Sequence, residues 1–272
     1  MITLSIGTPE FDVTKIVLER AEESEAEVLA EISKRAFESD IECGAPELGG
    51  PPGYDSPRSV AGNIKYTDYY KIVYDYLVLG AVLVGPRSEY HCEIGGLFVD
   101  PEFQNKGVAT RAFILIYELY PGIKVWTLGT PEWNARTKHF FEKLGFEQIG
   151  WTRDPEWRGR WYQKKMSPDF SFEMFPLSSF EDGMNRVVVE GTIVEKGYAR
   201  QVRGRRWGGP SLVANATLED VSGSVVLVLW NEQIRSISVG DRVRIENGYV
   251  SSYQGIKQLN IGRGGKLIFL DQ

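Results

Sequence analysis

The texture of the chain changes once, and that change limits what it can fold into more than any single motif does. From Lys15 to about Ser167, segments with apolar residues at helical spacing alternate with short runs rich in Val, Ile, Tyr and Trp, the pattern of a mixed α/β domain. From Arg186 onward the texture is almost wholly β: "RVVVEGTIVEKG", "SLVANATLED", "SVVLVLW", "RVRIENGYV" and "KQLNIGRGGKLIFL", with turn residues between them and one brief helical candidate, "NEQIRSI". Five short strands in a row suit a small barrel. The intervening "SPDFSFEMFPLSSFEDGMN" mixes Pro, Ser and acids with aromatic residues and lacks periodicity, so it reads as a linker that lies against a domain surface. A length of 272 residues agrees with two cores rather than one. The expected domains are residues 1–168 and 185–272, joined by a linker at 169–184.

The net charge of -6 conceals an asymmetry. From Asn185 to the end there are 12 Lys and Arg against 8 Asp and Glu, which leaves 19 against 29 in the preceding part. The second part is therefore basic and the first acidic. Cys43 and Cys92 are too few for a disulfide framework, and with only His91 and His139 beside them no metal centre is expected. No apolar run is long enough to span a membrane, and "MITLSIGTPEFDVTK" lacks the basic start and apolar middle of a signal peptide, so a cytoplasmic location is expected.

Within the first part, "KIVLERA" is a strand candidate and "SEAEVLAEISKRAF" a helix carrying Val28, Leu29, Ile32 and Phe37. The Gly- and Pro-rich "CGAPELGGPPGYDSP" must be loop. "YYKIVYDYLVLGAVLVGP" gives two strands around a tight turn at Asp75 and Tyr76, and "HCEIGGLFVD" a third whose glycine pair can hold a bulge. A helix follows, with Ala109, Ala112, Phe113, Ile116 and Leu119 at helical spacing. Then come strand "KVWTLG", helix "NARTKHFFEKL" and the closing strands "FEQIGWTR" and "RWYQKKM".

The strongest chemical signal is "VDPEFQNKGVAT", which joins a strand to a helix. Pro101 ends the strand, Gly107 permits close backbone approach, and Ala109 keeps the first helical turn uncluttered. Free backbone N–H groups from Asn105 to Thr110 at the positive end of a helix dipole suit a pyrophosphate, and Lys106 adds a cation. On the motif alone, an ordinary strand-to-helix turn stays open. A dinucleotide fingerprint is excluded, because the spacing lacks Gly-x-Gly-x-x-Gly and the preceding strands are joined as hairpins.

The order strand, "VDPEFQNKGVA", helix, strand, Asn134 and "FFEKLGF" resembles the GNAT superfamily of acyl-coenzyme A dependent N-acyltransferases over about residues 15–166. The resemblance implies a mixed, mostly antiparallel sheet with helices, acetyl-coenzyme A as cosubstrate and an amine acceptor, with no enzyme-bound intermediate. It implies that the backbone of Leu97, Phe98 and Val99 pairs with the pantetheine arm and supplies oxyanion donors. It further implies that Gln104, Asn105, Lys106, Gly107, Val108, Ala109 and Thr110 take the pyrophosphate, and that Asn134 lies near the pantetheine. The attacking amine must lose a proton, and Glu93 is the candidate base, directly or through water. Strict alternation places Glu93 on the face of Gly95 and Leu97, a register that a bulge at Gly95 and Gly96 would alter. A strand carboxylate with a structural partner stays open for Glu93, as does an incidental role for His91.

Many members of that family have a tyrosine at the position of Phe141, which protonates the departing thiolate. A phenyl ring cannot. Three explanations stay open. The thiol, with a pKa near 8.5, leaves with help from solvent or another hydroxyl; Phe141 is core and a different donor stands nearby; or the domain binds the thioester without turning it over. The acceptor is expected to be chosen by "ECGAPELGGPPGYDSPRS", with Glu42, Glu47 and Asp55, and by the hairpin "TRDPEWRGRWY".

In the second part, "GYARQVRGRRWGG" sets Arg200, Arg203, Arg205 and Arg206 beside Trp207, a combination that suits the phosphates and bases of a single strand, or else a solvated charged loop. "LEDVSGSVVLVLWNEQI", "VGDRVRIENGYV" and "YQGIKQLNIGRGG" are similar to the OB-fold domains of archaeal single-stranded DNA-binding proteins related to replication protein A, over about residues 186–270. That resemblance implies an all-β five-stranded barrel that binds single-stranded DNA or RNA, with Trp230 and Tyr253 stacking on bases, and an archaeal source. Trp230 as plain barrel core stays open.

The expected whole is an N-acetyltransferase fused to a nucleic-acid-binding barrel. The expected partners are acetyl-coenzyme A, an amine acceptor, a single strand and a second copy in a homodimer, with no metal and no membrane. Two alternatives remain: a sensor of acyl-coenzyme A that binds nucleic acid, and a small-molecule acetyltransferase whose barrel mediates assembly.

Overall fold

The computed structural model describes residues 11–153, 158–203 and 210–271, with only the backbone of Arg203 and Arg263. The chain forms two compact bodies. One holds the described residues up to Pro86 with Cys92–Ile123, the other Arg87–His91 with the described residues from Lys124 onward.

The first body is an antiparallel sheet of β1 (Val17–Arg20), β2 (Asp68–Tyr74), β3 (Leu77–Pro86) and β4 (His91–Val99), in that order. The tight turn falls where the sequence places it, with Asp75 in the left-handed region at φ 53°. Helices α1 (Ala26–Glu38) and α2 (Pro57–Tyr66) cover one face, burying Leu29, Ile32, Val60 and Ile64 against Tyr69, Ala81 and Phe98. Helix α3 (Val108–Leu119) covers the other, where Val108 and Ala112 meet Ile16, Ile72, Leu79 and Val99.

Three details differ from the sequence expectation. Val28 is exposed because α1 turns Ala26, Ala30, Ser33 and Ala36 inward beside Leu29 and Ile32, so small residues define its buried stripe. Leu119 is exposed at the end of α3. Helix α2 was not expected, although its signals are ordinary: the Ser56 hydroxyl accepts from the Ser59 N–H at 3.3 Å, Pro57 opens the first turn, and Val60 and Ile64 stand one turn apart.

Strand β4 carries the anticipated bulge. Leu83 pairs with Gly96 and Val84 with Ile94, so Gly95 is the extra residue. Directly opposed residues of an antiparallel pair share a face. Glu93, opposite Gly85, therefore lies on the face of Ala81, Gly96 and Phe98, and not on that of Leu97 as strict alternation would have it. Gly80, opposite Val99, has no room for a side chain, since a Cβ would sit 2.1 Å from the Phe98 carbonyl oxygen.

In the second body, β5 (Val125–Pro131), β7 (Arg158–Lys165) and β6 (Glu147–Arg153) form an antiparallel set with β7 central, and α4 (Ala135–Lys143) leads from β5 to β6. Strands β8 (Asn185–Lys196), β10 (Pro210–Asp220), β11 (Gly223–Trp230), β12 (Arg242–Tyr253) and β13 (Ile256–Phe269) close on themselves through the neighbours β8–β12, β12–β13, β13–β11, β11–β10 and β10–β8. Only the β11–β13 pairing among these is parallel. A short strand β9 (Arg200–Arg203) pairs with β10, and α5 (Glu232–Ser236) follows β11. The barrel interior holds Val189, Ile193, Leu218, Leu227, Leu229, Ile245 and Leu259.

The aperiodic segment before the barrel is packed rather than loose. Phe172 is buried with Val125 and Val188, while Leu177 and Phe180 enter the barrel core. Arg153 joins β6 to the barrel, donating to both carboxylate oxygens of Asp241 at 3.0 and 3.1 Å with its guanidinium 4.0 Å from the Phe269 ring centre.

Candidate functional site

The loop after β4 is fixed by its own side chains. Asp100 accepts from the Glu102 N–H at 3.2 Å and from Arg35 of α1, and the Gln104 amide donates to the Val99 carbonyl at 2.9 Å. Asn105 and Gly107 both adopt left-handed backbone, at φ 59° and 82°. Gly107 is the N-cap of α3 and offers no capping side chain, so the first-turn amides of Val108, Ala109 and Thr110 face outward as donors at the positive end of the helix. The Lys106 ammonium rests over Phe103 and Phe11, at 5.4 and 5.9 Å from the ring centres. Phe98 and Val99 are buried, Leu97 partly so, and the backbone of all three pairs with β3.

Glu93 is buried, as is His91. His91 lies in the second body, where its Nε2 meets the Thr127 hydroxyl at 2.8 Å and its ring stands edge-on to Phe172 at 5.2 Å. Burial, then the nearby charges of Arg87 and Arg244, push this imidazole down to about 3. It is a neutral, structural histidine at ordinary pH. Asn134 is the N-cap of α4, its Oδ1 accepting from the Thr137 N–H at 3.0 Å, and is fully buried.

Phe141 is core. Its ring lies 5.2 Å from Phe140, 5.8 Å from Phe146 and 6.3 Å from Tyr162, measured between centres. The Tyr162 hydroxyl is buried without a hydrogen-bond partner among the described residues, and burial raises its pKa. A phenol that packs on Phe141 and holds its proton is thus present on β7, two elements after α4. Glu42, Glu47 and Asp55 are all exposed, and part of the "TRDPEWRGRWY" hairpin lies outside the described residues.

On the barrel, register decides which aromatics share a face. Val213 faces Trp230, Asn215 faces Val228, Val228 pairs with Asn260, and Asn260 with Tyr249; Tyr253 follows four positions later on the same side. Trp230, Tyr249 and Tyr253 therefore share the outer surface, 40%, 39% and 55% exposed, behind which Leu229, Val250 and Leu259 fill the core. The sequence reading identified Trp230 and Tyr253 and missed Tyr249, whose period-two spacing from Tyr253 was the available signal. Trp230 is not barrel core. Arg200 is exposed on β9; Arg205, Arg206, Trp207 and the Arg203 side chain lie outside the described residues.

Among the described residues no group of three or more His, Cys, Asp or Glu could hold a metal ion, and no helix is long and apolar enough to cross a membrane.

Residues 45–146 match the family described as acetyltransferase (GNAT) family, and residues 187–267 match that described as OB-fold nucleic acid binding domain. The single-stranded DNA binding protein Ssb of Saccharolobus solfataricus is 31% identical over 91 residues, which are 34% of this chain and 60% of that protein. The PaiA N-acetyltransferase of Thermoplasma acidophilum, solved with coenzyme A, is 15% identical with a TM-score of 0.47, over 55% of this chain and 98% of its own. The replication factor A related protein of Methanobacterium thermoautotrophicum is 24% identical with a TM-score of 0.32, over 39% of this chain and 96% of its own. The chain carries a GNAT acetyltransferase domain and, after it, an OB-fold domain built as a closed barrel.

Proposed function

We propose that the first domain transfers an acetyl group from acetyl-coenzyme A to an amine and that the barrel holds single-stranded DNA or RNA, bringing the transferase to acceptors on or beside a nucleic acid. The observation that carries the transferase reading is the α3 N-terminus. A left-handed glycine cap, outward first-turn amides and a lysine beside them form a pyrophosphate cradle, and the Gln104 amide locks the loop to the end of β4.

In this reading Glu93 takes the proton of the attacking ammonium, directly or through water, and backbone N–H groups near Val99 stabilise the oxyanion. Asn134, capping α4, would meet the pantetheine. The departing thiolate takes its proton from solvent, since Phe141 cannot supply one. The buried phenyl at Phe141 also favours a second reading, a domain that senses acyl-coenzyme A without turnover. Thiol release from acetyl-coenzyme A over a panel of amines and basic proteins, with Glu93→Gln beside the natural chain, tests the choice. No release above background across the panel would leave the sensor reading.

For the barrel, three aromatics on one outer face beside Arg200 support stacking on successive bases. Each stacked base is worth about 1 to 3 kcal/mol, so Trp230→Ala, Tyr249→Ala and Tyr253→Ala should each weaken oligonucleotide binding roughly 5- to 150-fold. Quenching of tryptophan fluorescence by oligonucleotides, repeated across salt, measures this. Absence of quenching by any oligonucleotide at low salt would overturn the nucleic-acid reading.

A further inference from the structure

Beside the aromatic face, but not part of it, the second body holds a cavity of about 330 Å³ whose lining includes Arg87, Glu89, Tyr90, Phe172, Arg186 and Asn247, with Glu246 and His91 at its buried end. We infer that this cavity receives one nucleotide of the strand bound on the barrel, its phosphate between Arg87 and Arg186 and its base against Tyr90 and Phe172. The inference rests on the nucleic-acid reading above and deepens it.

Two bulges build the cavity. On β8, Val187 pairs with Gly248 and Asn185 with Tyr249, so Arg186 is the extra residue, and it adopts left-handed backbone at φ 57°. On β12, the register slips between Glu246 and Gly248 and leaves Asn247 left-handed at φ 56°. Asparagine tolerates that conformation; arginine rarely adopts it. Bulges re-aim side chains, and both of these turn theirs toward one cavity. Asn247 is held there by its Nδ2 donating to the Gly264 carbonyl at 3.0 Å.

The cavity adjoins the stacking surface. Tyr249 is paired with Asn185, the residue before Arg186, and stands two residues beyond Asn247 on the same strand. A strand stacked on Tyr249 and running along this edge reaches Arg186 next.

The chemistry fits a nucleotide. Arg87 and Arg186 supply guanidinium groups for a phosphate, and Tyr90 and Phe172 supply aromatic surface for a base. Glu246 at the buried end accepts from an exocyclic amine, which cytosine, adenine and guanine carry and thymine and uracil lack. Arg87 and Ser88 come from the turn that joins β3 to β4, which belongs to the second body.

The test compares cytidine oligomers of about four and about twelve nucleotides, as DNA and as RNA, by fluorescence anisotropy across salt. The natural chain, Arg87→Ala, Arg186→Ala and Arg186→Gly are compared, with thermal melting of each to establish folding. Arg186→Gly relieves the strained backbone while removing the charge, so it keeps the test open if Arg186→Ala fails to fold. The short oligomer should bind all four chains alike. The long one should bind the arginine variants several-fold more weakly, with the slope of log affinity against log salt shallower by about 0.7 per arginine removed. Equal affinities and slopes for the long oligomer in folded variants would overturn the cavity while leaving the face intact. Failure of the natural chain to bind either length would overturn both.

Discussion

Arg244→Met offers the sharpest test of how the barrel is tied to the segment before it. Arg244 and Glu246 are 8% and 2% exposed, and Arg244 Nε lies 3.1 Å from Glu246 Oε1. The pair is close but not aligned as a hydrogen bond, so it is an ion pair held by burial. The guanidinium also lies 4.3 Å over the Phe172 ring, and Glu190 stands 3.8 Å from its Nη1. Removing one partner of a buried pair costs about 3 to 5 kcal/mol, because the other charge stays in low dielectric. Glu246 keeps other neighbours, which puts the expectation at the lower end, about 3 kcal/mol. For a body of this size that is a melting-temperature loss of roughly 6 to 12 °C. Replacing both charges, Arg244→Met with Glu246→Leu, should recover most of the loss, since well-packed apolar groups often equal a buried pair. Thermal melts followed by near-ultraviolet dichroism, with urea titration as a check on cooperativity, give both numbers. A single variant within about 1 kcal/mol of the natural chain, or a double variant no better than the single, would refute the reasoning.

His91 should impose an acid limit. Its folded pKa is about 3 against an ordinary 6.5, so between those values the unfolded chain takes a proton that the folded chain refuses. Stability is full above pH 6.5 and falls as pH drops toward 3, by up to about 1.4 kcal/mol per unit; in urea titrations His91→Gln should flatten that slope between pH 7 and 5. Gly80→Ala should destabilise the first body by about 1 to 3 kcal/mol, because its Cβ would collide with backbone that cannot swing aside; an unchanged melt would contradict the β3–β4 register. Asn134→Ala should cost about 1 kcal/mol through the lost cap of α4. If the cap is its whole role, KM for acetyl-coenzyme A stays unchanged, whereas a rise in KM marks contact with the pantetheine.

Much of the fold was legible because its signals are local. Asp75 in a turn, Gly107 at a helix start and alternating Val and Leu in the barrel each follow from backbone preference or periodicity. Helix α2 was hidden because its buried stripe is only Val60 and Ile64, following directly on a Pro- and Gly-rich loop. The side on which Glu93 points was not legible, since one extra residue at Gly95 reverses every facing before it. Tyr249 escaped notice because a tyrosine in a strand is ordinary; only the chain of partners from Trp230 through Val228 and Asn260 sets it on the shared face. Arg186 is the clearest case. Nothing in "MNRVVVE" announces a left-handed arginine, because the bulge belongs to the pairing with β12 and not to the strand itself.

Leu177 and Phe180 precede the first barrel strand yet are almost wholly enclosed by the barrel core. Strand limits and folding limits therefore do not coincide. A fragment trimmed to begin at Asn185 would open two holes where these side chains sit, each worth roughly 1.5 to 3 kcal/mol, and would present apolar lining to solvent. The smallest self-sufficient piece has to start upstream of Phe172. During synthesis, this tract must also wait for strands made after it before its own aromatic groups find cover, so the join between the halves is among the last places to become dry.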